Sequence, residues 1–271
     1  MGRATLLVAL GVLLAGCGGG VSSGPPETVT PAPVPTDAVR YPPGVTADYV
    51  DAATLADAHA RGLSTTNYTL TTRQRVRTPD GQSLLRINQT RHVSRDAESY
   101  RGHFALETNL YDDAGGSTIE FWGNRSLVVT RYTTANPYRE PEIRRWPGQR
   151  DPSITDLTDR QHIEGFLAGV NVAPVRQTPD GGVLLAGSGV QDRTLLIVPL
   201  VVTEPRNLTL SMRVRPDGVV RATRVTYDAT HNGERVRVGR TMRVTAVGTT
   251  PVTKPSWVED GTPGDEYTGF S

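Results

Sequence analysis

Residues 68–93 read YTLTTRQRVRTPDGQSLLRINQTRHV, and this stretch decides the fold. Between Tyr68 and Val76 the even positions are mixed apolar and the odd positions are polar or basic, which is the period of a β-strand. Thr78-Pro79-Asp80-Gly81 has the composition of a tight turn, because proline fixes the first corner and glycine accepts a positive φ. A second strand returns over Leu84 to Val93, so the stretch predicts an antiparallel hairpin.

The same turn chemistry recurs along the chain. Pro-Asp-Gly follows Thr178 and again Arg215, and His231-Asn232-Gly233-Glu234 has the composition of an Asn-Gly hairpin turn. Strand-like runs lie between the turns, at Ser99 to Tyr111, Thr118 to Trp122, Leu127 to Thr133, Val183 to Gly187, Leu195 to Val202, Leu208 to Val214, Val219 to Tyr227 and Arg235 to Val247. Together with the first hairpin they predict about ten antiparallel strands.

Two segments have helical periodicity instead. The first runs from about Val50 to Leu63, and His59 lies on its apolar face, where we interpret it as a packed core histidine. The second is predicted over about Ile154 to Val170, with an apolar stripe formed by Ile163, Phe166, Leu167 and Val170. The chain is therefore expected to be α+β and mainly β, with two main helices and two meanders of strands.

The N-terminus has the features of an export signal. Arg3 precedes an apolar run from Ala4 to Leu14, which is too short to span a bilayer of roughly 30 Å. Leu14-Ala15-Gly16-Cys17 fits a lipobox, and Cys17 is the only cysteine in the chain. We predict a lipoprotein signal peptide over residues 1–16, lipidation of Cys17, and a membrane-anchored protein that faces the outside of the cell. The alternative is a plain signal peptide with an incidental cysteine.

A tether follows the cysteine. Residues 17–44 are rich in glycine, serine, proline and threonine and hold few large apolar side chains before Tyr41. Such a composition buries too little surface to fold, and its prolines keep the chain extended. We therefore predict that residues 17–44 are disordered and hold the folded domain away from the lipid headgroups.

Charge and motifs exclude several classes of function. The chain has 29 Lys and Arg against 28 Asp and Glu, so it lacks the basic excess of a nucleic-acid-binding protein. The five histidines form no metal-binding pattern, and neither a nucleophile elbow nor a phosphate loop is present. We predict no metal, no cofactor and no enzymatic activity, and we assign no catalytic residue.

Four Asn-x-Ser/Thr sequons are candidate glycosylation sites in an exported protein. They lie at Asn67, Asn88, Asn124 and Asn207. Such tripeptides also arise by chance in a threonine-rich chain.

The run from Leu195 to Val202 is apolar at successive positions, whereas a strand with one solvated face alternates. Two interpretations stay open: a central strand covered on both faces, or a strand with one face lining an apolar cleft. For a cleft we predict lining by residues of several strands and of the second helix. They are Phe104, Leu106, Leu127, Val129, Phe166, Leu195 and Ile197.

The lipobox, the tether and the order of helices and meanders resemble the LolA/LppX-type lipoprotein carriers. In finer detail, Tyr41-Pro42-Pro43-Gly44-Val45, the run from Asp51 to His59 and Lys254-Pro255-Ser256-Trp257 are similar to haloarchaeal surface lipoproteins. The resemblance implies a strongly curved antiparallel half-barrel with two helices on its concave face. It also implies one domain over residues 45–258, a disordered tail over residues 259–271, and a lipid or other hydrophobic ligand in the groove.

A different class of function is a protein-interaction or sensor domain with a filled, non-binding groove. Residues Asn136 to Pro152 are rich in proline and arginine and predict a long loop, and such loops are often functional. Trp146 with Arg144 and Arg145 has the composition of a binding hot spot for a protein partner. A solvated linker would have a similar composition.

Overall fold

The computed structural model describes residues 40–109, 115–136, 138–147, 156–260 and 262–263. The two helices of these residues are α1 (Ala52–Ser64) and α2 (Arg160–Gly169). The first six strands are β1 (Tyr68–Arg77), β2 (Ser83–Val93), β3 (Ser99–Thr108), β4 (Gly115–Asn124), β5 (Leu127–Thr134) and β6 (Glu142–Pro147). The remaining strands are β7 (Asn171–Gln177), β8 (Val183–Ser188), β9 (Thr203–Val214), β10 (Val220–His231), β11 (Glu234–Thr245) and β12 (Thr262–Pro263).

The twelve described strands form one open sheet in the order β12-β6-β5-β4-β3-β2-β1-β11-β10-β9-β8-β7. Two meanders, β1–β6 and β7–β11, are joined where β1 pairs with β11, with Leu70 opposite Val244. Neighbouring strands are antiparallel except the two-residue β12, which runs parallel to β6. The predicted class, a mainly β sheet with two helices, is therefore confirmed.

The two faces of the sheet differ in burial. On β1, Tyr68, Leu70 and Val76 are buried, whereas the intervening arginines are exposed. We call the face that carries Tyr68 and Leu70 the inner face and the opposite one the outer face. Residues paired across two strands lie on the same face of the sheet. The register therefore assigns each side chain of a paired strand to the inner or the outer face. Both helices pack on the inner face, where Leu55 of α1 and Phe166 of α2 join the same core cluster.

The turns predicted from the sequence are present. Gly81 has a φ of +94° and its N–H donates to the Thr78 carbonyl at 3.0 Å, which closes the hairpin between β1 and β2. Gly181 and Gly218 close their Pro-Asp-Gly turns in the same way. Asn232 and Gly233 both have positive φ, as a tight Asn-Gly hairpin turn requires.

Helix α1 begins close to the predicted position, after Asp51, whose side chain accepts a hydrogen bond from the Thr54 N–H at 2.9 Å. Helix α2 begins later than predicted, because Asp159 has a left-handed φ of 66° that a helix cannot include. The predicted start of that helix near Ile154 lies outside the described residues. Its predicted apolar stripe from Ile163 to Val170 is buried.

The run from Leu195 to Val202 is not a strand, contrary to the sequence-based prediction. It follows a 3-10 turn over Arg193–Leu195 and crosses helix α2. A Cβ at Gly165 would lie 2.5 Å from the Leu195 carbonyl oxygen, and one at Gly169 would lie 2.6 Å from Leu196 Cδ2. The two glycines thus let the segment lie directly on α2. Leu196 and Val202 of this segment are buried, whereas Leu195, Ile197 and Leu200 are exposed. Pro199 could not donate to a ladder.

The predicted loop from Asn136 to Pro152 contains a strand. β6 pairs with β5 along its whole length, with Trp146 opposite Val128. Its prolines and arginines concealed the alternation that marks a strand. β6 lies next to the two-residue edge strand β12, and strands near a sheet edge tolerate both residue types. The remainder of that segment after Pro147 lies outside the described residues.

The folded part is longer than predicted at both ends. Tyr41 packs against the core and Pro42 is buried, so the fold includes part of the predicted tether. At the other end Thr262–Pro263 pairs with β6, within the predicted tail. Residues 1–39 and 264–271 lie outside the described residues.

The C-terminal segment covers a patch of the outer face. Val258, in a 3-10 turn over Ser256–Asp260, packs against Trp122 and Val129 in a second apolar cluster. The Arg131 guanidinium lies 5.3 Å from the Trp257 ring centroid, a cation–π contact. Neither described helix has the length and apolarity of a membrane span.

His59 is a packed core histidine, as the sequence predicts. It is fully buried; its Nε2–H donates to the Thr158 carbonyl at 2.8 Å and its Nδ1 accepts from the Val220 N–H at 3.0 Å. Both bonds require the neutral ring, because a protonated Nδ1 has no lone pair left to accept with. Burial lowers the pKa of His59, although the Thr158 carbonyl and nearby carboxylates oppose this effect.

We expect His59 to make the protein less stable as the pH falls below about 6.5, the ordinary pKa of an unfolded histidine. The unfolded chain then binds a proton that the folded chain excludes, so the free energy of unfolding falls by up to about 1.4 kcal/mol per pH unit. Urea unfolding between about pH 7.5 and pH 5 measures this slope. His59→Gln should flatten it relative to the wild type, and parallel curves for the two proteins would contradict the prediction.

Candidate functional site

The inner face is unevenly covered by the helices. Over β1 and β8–β11 its apolar side chains are buried, but over β3–β5 several are only half-buried. Phe104, Ile119 and Tyr132 lie opposite one another on three adjacent strands, and Leu106 is the next inner residue along β3. We call these four residues the apolar patch. Tyr132 is 39 % exposed, so part of this patch is accessible to a ligand.

Two neighbouring cavities lie along the apolar patch, and Tyr132 lines both. The larger, of about 650 Å³, is bordered by Leu106, Ser117 and Thr134. The smaller, of about 280 Å³, is bordered by Ile119, Glu142 and Arg144. Cavities that bind small molecules have volumes in this range, and they combine apolar walls with a few polar groups.

An aromatic pair closes one end of the patch. The Tyr100 and Phe121 rings have centroids 6.3 Å apart and are both buried. A Cβ at Gly102 would lie 2.3 Å from Phe121 Cζ, so glycine at this position is what lets the Phe121 ring cross β3. The inner face is therefore tightly packed at this end and half-open at the other.

The seven predicted cleft residues do not form one surface. Phe104 and Leu106 belong to the apolar patch, whereas Leu127 and Val129 lie on the outer face, where Val129 packs against Val258. The remaining three belong to α2 and the segment that crosses it: Phe166 is buried in the core, and Leu195 and Ile197 are 45 % and 39 % exposed.

A buried ion pair lies on the inner face, separated from the apolar patch by β1 and β2. Arg240 of β11 donates through Nη2 to both carboxylate oxygens of Asp159, at 2.5 and 2.8 Å. Asp159 is 3 % exposed and Arg240 is 7 % exposed. His162 Nδ1 lies 3.1 Å from the same carboxylate. Burial alone would raise the pKa of Asp159, but the Arg240 charge, the His162 hydrogen bond and Arg91 hold it well below its ordinary value.

Arg91 of β2 is a second buried cation on the inner face. It lies opposite Leu70 on β1 and opposite Gly102 on β3. Its Nη2 donates to Gln89 Oε1 at 2.8 Å, whereas its Nε and Nη1 have no hydrogen-bond partner among the described residues. Burial lowers the pKa of Arg91, and the carboxylates of Asp159 and Asp156 oppose this effect.

Sequence analysis missed most of this site. Ile119 and Tyr132 were within predicted strands, but the alternation of a strand does not tell which strand lies beside it. The signal that could have found Arg91 and Arg240 is an arginine at an otherwise apolar strand position: Arg91 is two residues before Val93, and Arg240 lies between Val238 and Met242.

Two predicted glycosylation sites use the nitrogen that a glycan would modify. Asn67 Nδ2 donates to the Thr250 carbonyl at 2.9 Å, and Asn207 Nδ2 donates to Asp228 Oδ2 at 3.0 Å. Asn124 instead uses its Oδ1, which accepts from the Leu127 N–H. Asn88 is half-buried on β2. Cys17 lies outside the described residues. Over the part of the chain that is described, no group of three or more metal-binding side chains occurs.

Comparisons with known proteins give little further information. No family model and no curated protein sequence matches this chain. Among solved structures it is similar to a DUF1329 family protein from Desulfovibrio piger, with 10 % identity over 76 % of this chain and 95 % of that one. The TM-score is 0.29, which is too low to support an argument about fold or function.

Proposed function

We propose that the protein is an exported lipoprotein, anchored to the membrane through Cys17, which binds a lipid or another hydrophobic molecule on the inner face of its sheet. The observation that supports this proposal is the half-open apolar patch of Phe104, Leu106, Ile119 and Tyr132 with its two adjoining cavities. A carrier needs an apolar surface that is exposed to solvent when no ligand is bound. A fully packed core provides no such surface.

The supporting geometry is a division of the inner face. One half holds the two helices and forms the core that keeps the sheet folded. The other half presents apolar side chains over three strands whose backbone is already fixed by ladders on both sides. A ligand there would bury apolar area without any ordering of the backbone, which favours binding.

The alternative, a protein-interaction or sensor domain with a filled groove, depends on Trp146 with Arg144 and Arg145 in a long loop. Trp146 instead belongs to β6, its Nε1 donates to Thr130 Oγ1 at 3.1 Å, and its ring packs against the core. Arg145 donates to the Val258 carbonyl. These contacts give the cluster a structural role in the described fold.

The proposal predicts that Ile119→Glu strongly weakens ligand binding. A carboxylate in the middle of the apolar patch would have to lose its hydration when an apolar ligand covers it, so affinity for the neutral probe N-phenyl-1-naphthylamine should fall at least about tenfold. The fluorescence of the probe reports its transfer into an apolar site. Mass spectrometry of an organic extract of the purified wild-type protein identifies any hydrophobic molecule that it carries.

Thr118→Glu is the matched control, because Thr118 is the adjacent residue on β4, is also half-buried, and lies on the outer face. It should leave the affinity for the probe unchanged. The proposal fails if the wild-type protein binds no probe and carries no extractable hydrophobic molecule, or if both variants bind the probe as the wild type does.

A further inference from the structure

Among the described residues, buried polar atoms without a hydrogen-bond partner lie on β1, β2 and β11 of the inner face, and another, Thr134 Oγ1, lies on β5. Arg91 Nε and Nη1, Arg240 Nε and Thr72 Oγ1 are all buried and have no hydrogen-bond partner within the described part of the chain. Thr72 lies on β1, between the strands that carry the two arginines. Buried polar groups are almost always hydrogen-bonded, and a charged donor is the most costly to leave unpaired.

Two arginines, Arg91 and Arg240, lie near two carboxylates, Asp159 and Asp156, but neither carboxylate accepts a hydrogen bond from Arg91 within the described residues. The carboxylate of Asp159 already accepts from Arg240 and lies beside His162, so it offers little to Arg91. The oxygens of the half-buried Asp156 accept from the N–H groups of Thr158 and Gln161. Arg91 is 8 % exposed and makes one hydrogen bond with five available donors. Its Nε–H and Nη1–H groups match the oxygens of a carboxylate or a phosphate.

Arg91 is a near neighbour of the apolar patch in the sheet. Gln89, the residue that Arg91 donates to, is directly opposite Phe104. Phe104 is therefore the diagonal neighbour of Arg91 across β2 and β3, a separation of roughly 7–8 Å or less. A molecule lying on Phe104 and Ile119 can reach Arg91 with a single polar end.

We infer that the ligand is an anionic amphiphile, whose acidic headgroup accepts hydrogen bonds from Arg91 while its apolar chain lies on the patch of Phe104, Leu106, Ile119 and Tyr132. This inference rests on the proposed function. A headgroup paired with Arg91 is shielded from water, which strengthens charge-assisted hydrogen bonds. Because Arg91 is covered in this structure, the side chains over it must move aside when the headgroup enters.

The test compares a fatty acid with its neutral ester on the full-length protein. At about pH 8 cis-parinaric acid is ionised, whereas its methyl ester has the same chain and no charge. We expect the acid to bind about 10- to 100-fold more tightly than the ester. Arg91→Gln should remove this difference and leave the affinity for the ester unchanged. Arg73→Gln, on the exposed outer face of the neighbouring strand, is the control and should change neither affinity.

A fluorescent phosphatidic acid and inorganic phosphate test the source of the anion. Displacement of parinaric acid by phosphatidic acid and not by phosphate indicates that the ligand is an acidic lipid. Equal displacement by phosphate overturns the inference that the ligand is an amphiphile. Equal affinities of the wild type for acid and ester overturn the inference and leave the proposed function standing. The proposed function itself fails if neither probe binds. Arg91→Lys keeps the charge and should retain a preference for the acid, which covers the case in which Arg91→Gln does not fold.

Discussion

Replacing Asp159 by asparagine is expected to lower the free energy of unfolding by about 3–5 kcal/mol. The carboxylate is the acceptor for Arg240 and lies close to Arg91, and all three side chains are at least nine-tenths buried. Without its charge two guanidinium groups remain in the interior with no adequate counter-ion. Asparagine is the right replacement because it tolerates the left-handed φ of 66° at this position, so the loss of stability reports the charge and not the backbone.

Urea unfolding monitored by circular dichroism measures the effect. Glu107→Gln is the matched control: Glu107 pairs with Arg86 at 3.2 Å on the exposed outer face, and the loss there should be at most about 1 kcal/mol. The double variant Asp159→Asn with Arg240→Met should regain part of the stability, because it removes one of the unpaired cations. A loss below about 1 kcal/mol for Asp159→Asn alone would show that the buried arginines do not depend on this carboxylate.

Cys17→Ser is expected to move the protein from the membrane fraction to the medium, or to leave it as an uncleaved precursor. The thiol of Cys17 is the only one in the chain, and serine cannot form the thioether that holds the lipid. Each buried methylene of an acyl chain contributes roughly 0.8 kcal/mol, so two chains hold the protein on a bilayer stably.

Membrane fractionation followed by determination of the mature mass decides this prediction. Ser22→Ala, a similar small change five residues further along, should leave the protein in the membrane fraction with its lipid. A Cys17→Ser protein that is both of mature size and membrane-bound would exclude the lipid anchor. Unfolding curves of the released protein should match those of the wild type, since the described fold begins only at Arg40.

The hairpins and the helical stripes were predictable from the sequence, because they depend on neighbouring residues. The Pro-Asp-Gly and Asn-Gly turns set φ locally, and the stripe of Ile163, Phe166 and Leu167 buries the predicted face of α2. His59 followed from its place on the apolar face of α1. The prediction for Leu195 to Val202 failed for the opposite reason: an apolar run does not tell whether its residues pair in a sheet, pack on a helix or stay exposed, and here Leu196 is buried while Leu195 and Ile197 are exposed.

By itself the sequence determined the local elements of this protein, the mainly β class, and the motif on which the proposed lipid anchor rests. Only the tertiary structure decided which strands are neighbours, and this placed Ile119 and Tyr132 beside Phe104 while it put Val129 on the opposite face. It also brought Asp159 to Arg240, 81 residues away in the chain. The physical reason is that strand alternation assigns a side chain to one side of a strand, whereas sheet order, register and buried charge pairs arise from contacts between distant residues.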